Sequence, residues 1–252
     1  MQPILLYART DVGKIRRNNE DSVASLVINY QSFGMELSYA VIAVADGMGG
    51  HEMGEVASKI ASEKFIETVT GNIYSSWHNS EKIKFREILI NAVEAANNEV
   101  WKISVNHKHR IGTTLVGAIL SGNYISIANV GDSRAYLVDP AKTITQITKD
   151  HTAVQEMVDA GIITREEALN HPRKSILTRS LGTTPVIKPD IFELNMKENI
   201  LLLCSDGLYG MIDDIDICNT VERDIFKSAD TFISLANIKG GIDNISVALA
   251  AY

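Results

Sequence analysis

The sequence predicts an α+β domain in layers, with helices covering antiparallel sheets, and three stretches carry that prediction. Residues 39–45 are an unbroken apolar run, long enough for a strand covered on both faces and too short to cross a membrane. Two long segments after it place small or apolar residues at helical spacing. From Gly112 onward the pattern changes to short apolar runs separated by turn residues, the signature of an antiparallel meander.

In chain order, residues 4–10 read as a first strand, followed by a polar, basic stretch, then Glu20 and Asp21 in front of a strand over 22–29. The apolar run 39–45 delivers Asp46 to the edge of the core, where Gly47, Gly49 and Gly50 remove the Cβ atoms that would crowd a ligand. Residues 53–70 and 81–105 read as amphipathic helices: Ala57, Ile60, Ala61, Phe65, Thr68 and Val69 share one face of the first, and Phe85, Ile88, Leu89, Ala92, Ala96 and Ile103 one face of the second. Strands follow at 114–120, 124–130, 135–138 and 143–147, broken by Ser121-Gly122-Asn123, Gly131-Asp132-Ser133 and Asp139-Pro140. Short helices are predicted at 152–161 and 164–170, closed by His171-Pro172. Strands resume at 186–194 and 200–204, one or two helices fall between 213 and 237, and a last strand covers 245–250.

The totals narrow the class. A chain of 252 residues, 45% hydrophobic and 22% charged with 5 prolines and no Ser-, Pro- or Gly-rich linker, suits a single domain over 1–252. A net charge of −7 argues against nucleic acid or an anionic membrane as the main partner. The two cysteines, Cys204 and Cys218, form no metal-binding or redox pair, and the N-terminal stretch lacks the apolar length of a signal peptide. The expectation is a reduced, cytoplasmic protein.

The acids carry the chemistry. An isolated Asp-Gly marks a turn far more often than a metal site, but here the arrangement recurs: Asp46 and Asp206 each follow an apolar strand and precede a glycine, Asp243 follows Gly240-Gly241, and Asp132 sits at a strand junction. Brought together, such carboxylates would raise one another's pKa and oppose folding unless a cation neutralised them. An all-oxygen donor set suits magnesium or manganese, whereas zinc would recruit His or Cys. His51, His151 and His171 could approach such a site, while His107 and His109 fall at the polar end of a helix. Asp213-Asp214-Ile215-Asp216 lacks the glycine of a calcium loop and reads as a helix start.

Six motifs in order, Arg16-Arg17-Asn18-Asn19-Glu20-Asp21, Ala45-Asp46-Gly47-Met48-Gly49-Gly50-His51, Gly112-Thr113-Thr114, Gly131-Asp132-Ser133-Arg134, Ser205-Asp206-Gly207 and Asp243-Asn244-Ile245-Ser246, resemble the series of the metal-dependent serine/threonine protein phosphatases of the 2C type, in the form of the bacterial branch. The resemblance spans nearly the whole chain. It implies a sandwich of two antiparallel sheets flanked by helices (α-β-β-α layers) with a binuclear manganese or magnesium centre at one end. By motif, Asp46 would bridge two ions, Gly47 would offer its carbonyl to the second, and Asp206 and Asp243 would hold the first. Glu20 and Asp21 would act through bound waters, and Asp132, with help from Asp206, would hold a third, weaker ion. Arg16 matches the phosphate-gripping arginine; on residue type alone Arg17 is the rival.

The resemblance further implies hydrolysis of phosphoserine and phosphothreonine in proteins, in opposition to a serine/threonine kinase, by a chain expected to act as a monomer. Residues 149–182 match a flap beside the site, where Arg173, Lys174 and Arg179 could attract a phosphopeptide. Met48 departs from the histidine of animal members and cannot donate a proton; metal-bound water is the expected donor to the leaving group. A catalytically silent phosphoprotein-binding member would show losses among the metal aspartates, and this sequence shows none. A binuclear phosphodiesterase would bring His and Asn ligands that are not found.

Overall fold

The computed structural model describes residues 4–32, 35–49, 53–106 and 111–252; Gly50, His51, His107 and His109 lie outside the described residues. The chain opens with β1 (Leu5–Asp11), β2 (Asp21–Ser32) and β3 (Met35–Met48), followed by α1 (Met53–His78) and α2 (Phe85–Ser104). A meander of β4 (Gly112–Thr113), β5 (Leu115–Ser121), β6 (Tyr124–Val130), β7 (Arg134–Val138) and β8 (Ile144–Gln146) comes next, then α3 (Ala153–Asp159) and α4 (Arg165–Leu169). The last elements are β9 (Asp190–Asn195), β10 (Ile200–Cys204), α5 (Asp206–Tyr209), α6 (Asp214–Thr220), α7 (Ile225–Ile238) and β11 (Ile245–Ala251).

Two antiparallel sheets form, in the orders β1-β11-β10-β7-β8 and β2-β3-β5-β6-β9, with β4 added to the end of β3. Strand alternation builds the layers. Ala40, Ile42 and Val44 of β3 face Ala135, Leu137, Leu201, Leu203, Ala248 and Ala250 across the gap between the sheets. The intervening Val41, Ala43 and Ala45 face outward onto Phe65, Val69, Leu89 and Ala92 of α1 and α2. On the second sheet, Leu202, Cys204, Val247 and Leu249 face outward onto Phe232, Ile233 and Ala236 of α7 and Leu208 of α5. The result is the predicted α-β-β-α order, and it explains why β3 reads as a continuous apolar run: both of its faces are core.

Three local expectations need correction. β3 does not stop at Asp46; it stays extended to Met48 by exchanging partners, pairing Gly47 with Thr113 and Met48 with Gly112 of β4. β9 begins at Asp190 rather than at Val186, because Pro189 has no N–H to give a ladder and Val186 is 79% exposed. Ser205-Asp206-Gly207, expected only as the end of the 200–204 strand, also opens the one-turn helix α5, with Ser205 at its cap position.

The stretch 149–182 lies between β8 and β9 and carries two small capped helices. Thr152 caps α3 through the Gln155 N–H, and Thr164 with Glu167 forms a capping box on α4. Its two arms are tied by a Thr152–Leu177 bridge and by the Ala153 N–H to the Ile176 carbonyl at 2.9 Å.

Candidate metal centre

The strand ends converge on acids. The β2–β3 register sets Asp21 directly opposite Asp46, a like-charged cross-strand pair that is destabilising unless something compensates it. Asp132 follows β6, Asp206 follows β10 as the first residue of α5, and Asp243 precedes β11. Burial first, then Asp21, Asp206, Asp132 and Asp243, hold the Asp46 carboxyl well above the usual range. Burial pushes Asp21 up to about 8 despite bonds from Ser246 and Ser205, and pushes Asp132 up to about 7, with Asp206 and Asp150 adding to it. Asp206 is raised too, by burial and by Asp243. The sheets thus gather five carboxylates that repel one another at a poorly hydrated end of the sandwich.

Backbone contacts fix where these acids sit. The Gly47 N–H donates to the Glu20 carbonyl at 3.0 Å. A Cβ on Gly47 would fall 2.5 Å from that oxygen and 2.1 Å from the Gly54 carbonyl, so no other residue allows this approach. Asp46 is held through its own backbone: its N–H donates to Thr114 Oγ1 at 2.9 Å, and its carbonyl accepts from the Thr114 N–H and from Thr113 Oγ1, both at 2.9 Å. Asn244 organises the loop before β2, accepting from the Glu20 N–H at 2.8 Å and donating to the carbonyls of Val12 and Asn18 at 2.9 Å each. Arg16, on that loop, donates from Nη2 to Asp243 Oδ2 at 2.7 Å with half of its side chain exposed.

Whether this end suits a metal is a question of donor chemistry. Every acid brought together is a hard oxygen donor, and their mutual repulsion is the kind that a divalent cation relieves, so magnesium or manganese fits. The carboxylates are placed for this but not aimed. Among the described residues no three acidic, imidazole or thiol side chains are set around a common point; Asp243 is turned to Arg16, and Asp21 accepts from Ser205 Oγ at 2.7 Å.

Residues 7–157 match the family model described as Protein phosphatase 2C. The chain belongs to this family. It is 39% identical to a serine/threonine phosphatase, stp, of Listeria welshimeri, over 96% of this chain and 93% of that one. It is also similar to two solved structures. One is the serine/threonine phosphatase Stp1 from Staphylococcus aureus (TM-score 0.81, 33% identity, 98% of this chain and 94% of that one). The other is the catalytic domain of the serine/threonine protein phosphatase PstP in complex with two manganese ions (TM-score 0.77, 33% identity, 98% and 97%).

Among the residues singled out in this phosphatase 2C sequence, Asp21, Asp46, Asp132, Asp206, Asp243 and Arg16 meet at one end of the sandwich. Glu20 and Gly47 join them through their backbones. Of the two candidate histidines among the described residues, neither enters the acid cluster as a ligand: His151 is buried and accepts the Gly131 N–H, and His171 accepts the Arg173 N–H in a turn of the 149–182 stretch; His51 lies outside the described residues. Arg179 is engaged by Asp190 at 2.9 Å, whereas Arg173 and Lys174 are exposed.

Several supporting residues escaped the sequence reading. Arg134 chelates Asp150 (Nε 2.9 Å, Nη2 2.7 Å), donates to the Tyr136 hydroxyl at 3.0 Å, and stacks 3.7 Å over the Tyr209 ring, whose hydroxyl donates to the Asp132 carbonyl at 3.1 Å. The buried Thr114 and Ser133 hydroxyls bond each other at 2.7 Å. Thr114, Ser133, Arg134 and Asn244 all lie inside the quoted motifs, so their positions were visible and only their partners were not. Tyr209 and Asp150 had no signal beyond proximity in sequence to Asp206 and His151.

Proposed function

We propose that this chain is a metal-dependent protein-serine/threonine phosphatase acting on phosphoserine and phosphothreonine, with residues 1–252 working as one catalytic domain and 149–182 as its flap. The observation that carries the reading is the convergence of five aspartates from separate strand ends beside an arginine that already holds a carboxylate. The family membership and the manganese-bound relative support it.

In this reading Asp46 would serve two divalent ions, the Gly47 carbonyl one of them, and Asp206 and Asp243 the other. Asp132, with Asp206, would hold a third and weaker one; Glu20 and Asp21 would act through ordered water. When bound, the ions acidify water at neutral pH and neutralise charge on the phosphoryl oxygens. The protein's share is placement and binding. Thr113 and Thr114 fix the Asp46 backbone, which sets where its carboxylate starts from. Arg16 presents a planar fork that can grip two phosphate oxygens, a geometry lysine does not reproduce, and Asp243 holds that fork at the rim. Met48 lies with its methyl against Gly112 and has no proton to give the leaving group.

A phosphoprotein bearing the product of a serine/threonine kinase is the substrate, and the enzyme acts as a monomer in the cytoplasm; among the described residues no helix is long and apolar enough to cross a membrane. The test is phosphate release from a phosphothreonine peptide with manganese, with chelator, and with Asp206→Asn. Turnover should need manganese and should vanish in the other two. A folded, manganese-loaded protein that released no phosphate would overturn the reading.

A further inference from the structure

Asn244 follows Asp243 in the chain and is buried, and each polar atom of its side chain is engaged. Its Oδ1 accepts the Glu20 N–H at 2.8 Å, and its Nδ2 donates to the carbonyls of Val12 and Asn18 at 2.9 Å each. A backbone N–H can only donate and a carbonyl can only accept, so the amide has one orientation here and both of its protons are used. Residues 12–20 connect β1 to β2 and carry Arg16. One side chain therefore closes that loop at both of its ends.

The backbone of Asn244 holds the group that Arg16 meets. Its N–H donates to Asp243 Oδ1 at 2.9 Å, while Arg16 donates to the second oxygen, Oδ2, at 2.7 Å. The two loops also run against each other: the Lys14 N–H donates to the Gly241 carbonyl at 2.8 Å, and Gly13, at φ +78°, has its absent Cβ only 2.3 Å from the Asp243 carbonyl oxygen. Arg16 has half of its side chain exposed, so the aim of its guanidinium is set by where the loop backbone starts it. A displacement of about 1 Å in a group that orients substrate can cost about 100-fold in rate.

We propose that Asn244 is the positioning residue for Arg16: its side-chain amide fixes the backbone of residues 12–20 so that the guanidinium presents its fork to the substrate phosphate beside Asp243. The proposal rests on the reading of this chain as a phosphatase with Arg16 as its phosphate-binding arginine.

A double-mutant cycle tests it. Asn244→Ala removes the three side-chain bonds, adds no charge, and leaves the backbone N–H that serves Asp243 in place. Asn244→Ser is the milder form, with one proton for two carbonyls and too little reach for both ends of the loop. Each is made in the wild-type and in the Arg16→Ala chain. The readouts are kcat and KM on a phosphothreonine peptide with manganese, inhibition by inorganic phosphate, and the manganese-induced rise in Tm. Alone, Asn244→Ala should raise KM and the inhibition constant for phosphate about tenfold while kcat stays within about threefold, the pattern of lost uniform binding. The rise in Tm with manganese should persist. Added to Arg16→Ala, the same change should move KM by less than about twofold, because residues that act through one another are not additive. Asn244→Ser should shift KM in the same direction by a smaller factor, and it too should be silent without Arg16.

A residue that merely stabilised the fold would cost the same factor with and without Arg16, and that additivity would overturn the proposal. So would a loss confined to kcat, a lost manganese response, or two Asn244 variants that fail to fold where Arg16→Ala folds. An Arg16→Ala chain with unchanged KM would sink the proposal and leave the phosphatase reading standing. A folded, manganese-loaded wild type that released no phosphate would overturn both.

Discussion

Arg16 and Arg17 are adjacent and both exposed, yet it is Arg16 that donates to Asp243 at the acid cluster. Charge-assisted, forked hydrogen bonds contribute about 1.5–3 kcal/mol, so Arg16→Ala should lower kcat/KM on a phosphopeptide by about 10- to 100-fold. Arg17→Ala should stay within about twofold, as an exposed charge away from the chemistry does. Equal losses in the two variants would restore Arg17 as the rival. His151 gives a prediction in pH. Burial, with Arg179 adding to it, lowers its pKa against the opposing pull of Asp190 and Asp150, so the folded protein favours the neutral ring. The stability this contributes is complete above the unfolded value of about 6.5 and is lost as pH falls through the lower folded value. The imidazole NMR shifts of His151 should therefore titrate with a midpoint below that of a free histidine. A midpoint at or above it would show that the bond from the Gly131 N–H does not hold the neutral form.

At the scale of elements, the β2–β3 register makes the site and also burdens the fold, because it sets Asp21 against Asp46. Asp46→Asn should therefore raise the stability of chelator-treated protein in urea unfolding while removing most of the gain that manganese gives the wild type. A loss of stability in chelator would show that this carboxylate is already compensated by its neighbours. What offsets the burden is packing. Phe65 of α1 is fully buried among Val69, Leu89 and the outward face of β3, and Phe65→Ala should cost about 3–5 kcal/mol by urea unfolding, from lost transfer and the cavity left behind. A cost below about 1 kcal/mol would mean that α1 is seated by something other than this core. The long elements were readable because period and burial agree in them. Those misread were decided by backbone chemistry: Pro189 delays β9, and pairing with β4 carries β3 past its glycines.

For the whole molecule, the proposed ligation by these acids would couple metal binding to folding. A cation that binds the folded chain alone stabilises it by about 2.7 kcal/mol at 100 times its Kd, so manganese should raise Tm in a concentration-dependent way and chelator should reverse the rise. A Tm indifferent to manganese over the range that supports turnover would contradict a site built from folded strand ends. The net charge of −7 adds a repulsion that the same cations reduce. The two sheets are what make the coupling possible. Asp21 and Asp46 belong to one sheet and Asp206 and Asp243 flank strands of the other, so the cluster exists only when both layers are packed.

The sequence by itself determined the layers and the positions of the chemistry. Apolar period distinguishes buried strands from one-sided helices, and a recurring acid after an apolar strand, in the order of six motifs, is a local pattern that needs no partner to be seen. Tertiary structure alone decided who meets whom. That Asp21 faces Asp46, that Asn244 ties down the Arg16 loop, that Arg134 lies over Tyr209, and that His151 joins the 149–182 stretch to Gly131 all depend on strand register and on contacts between residues far apart in the chain. The physical reason is that a hydrogen bond or a pKa shift belongs to a pair of groups at a distance, and a linear sequence lists the groups without the distance.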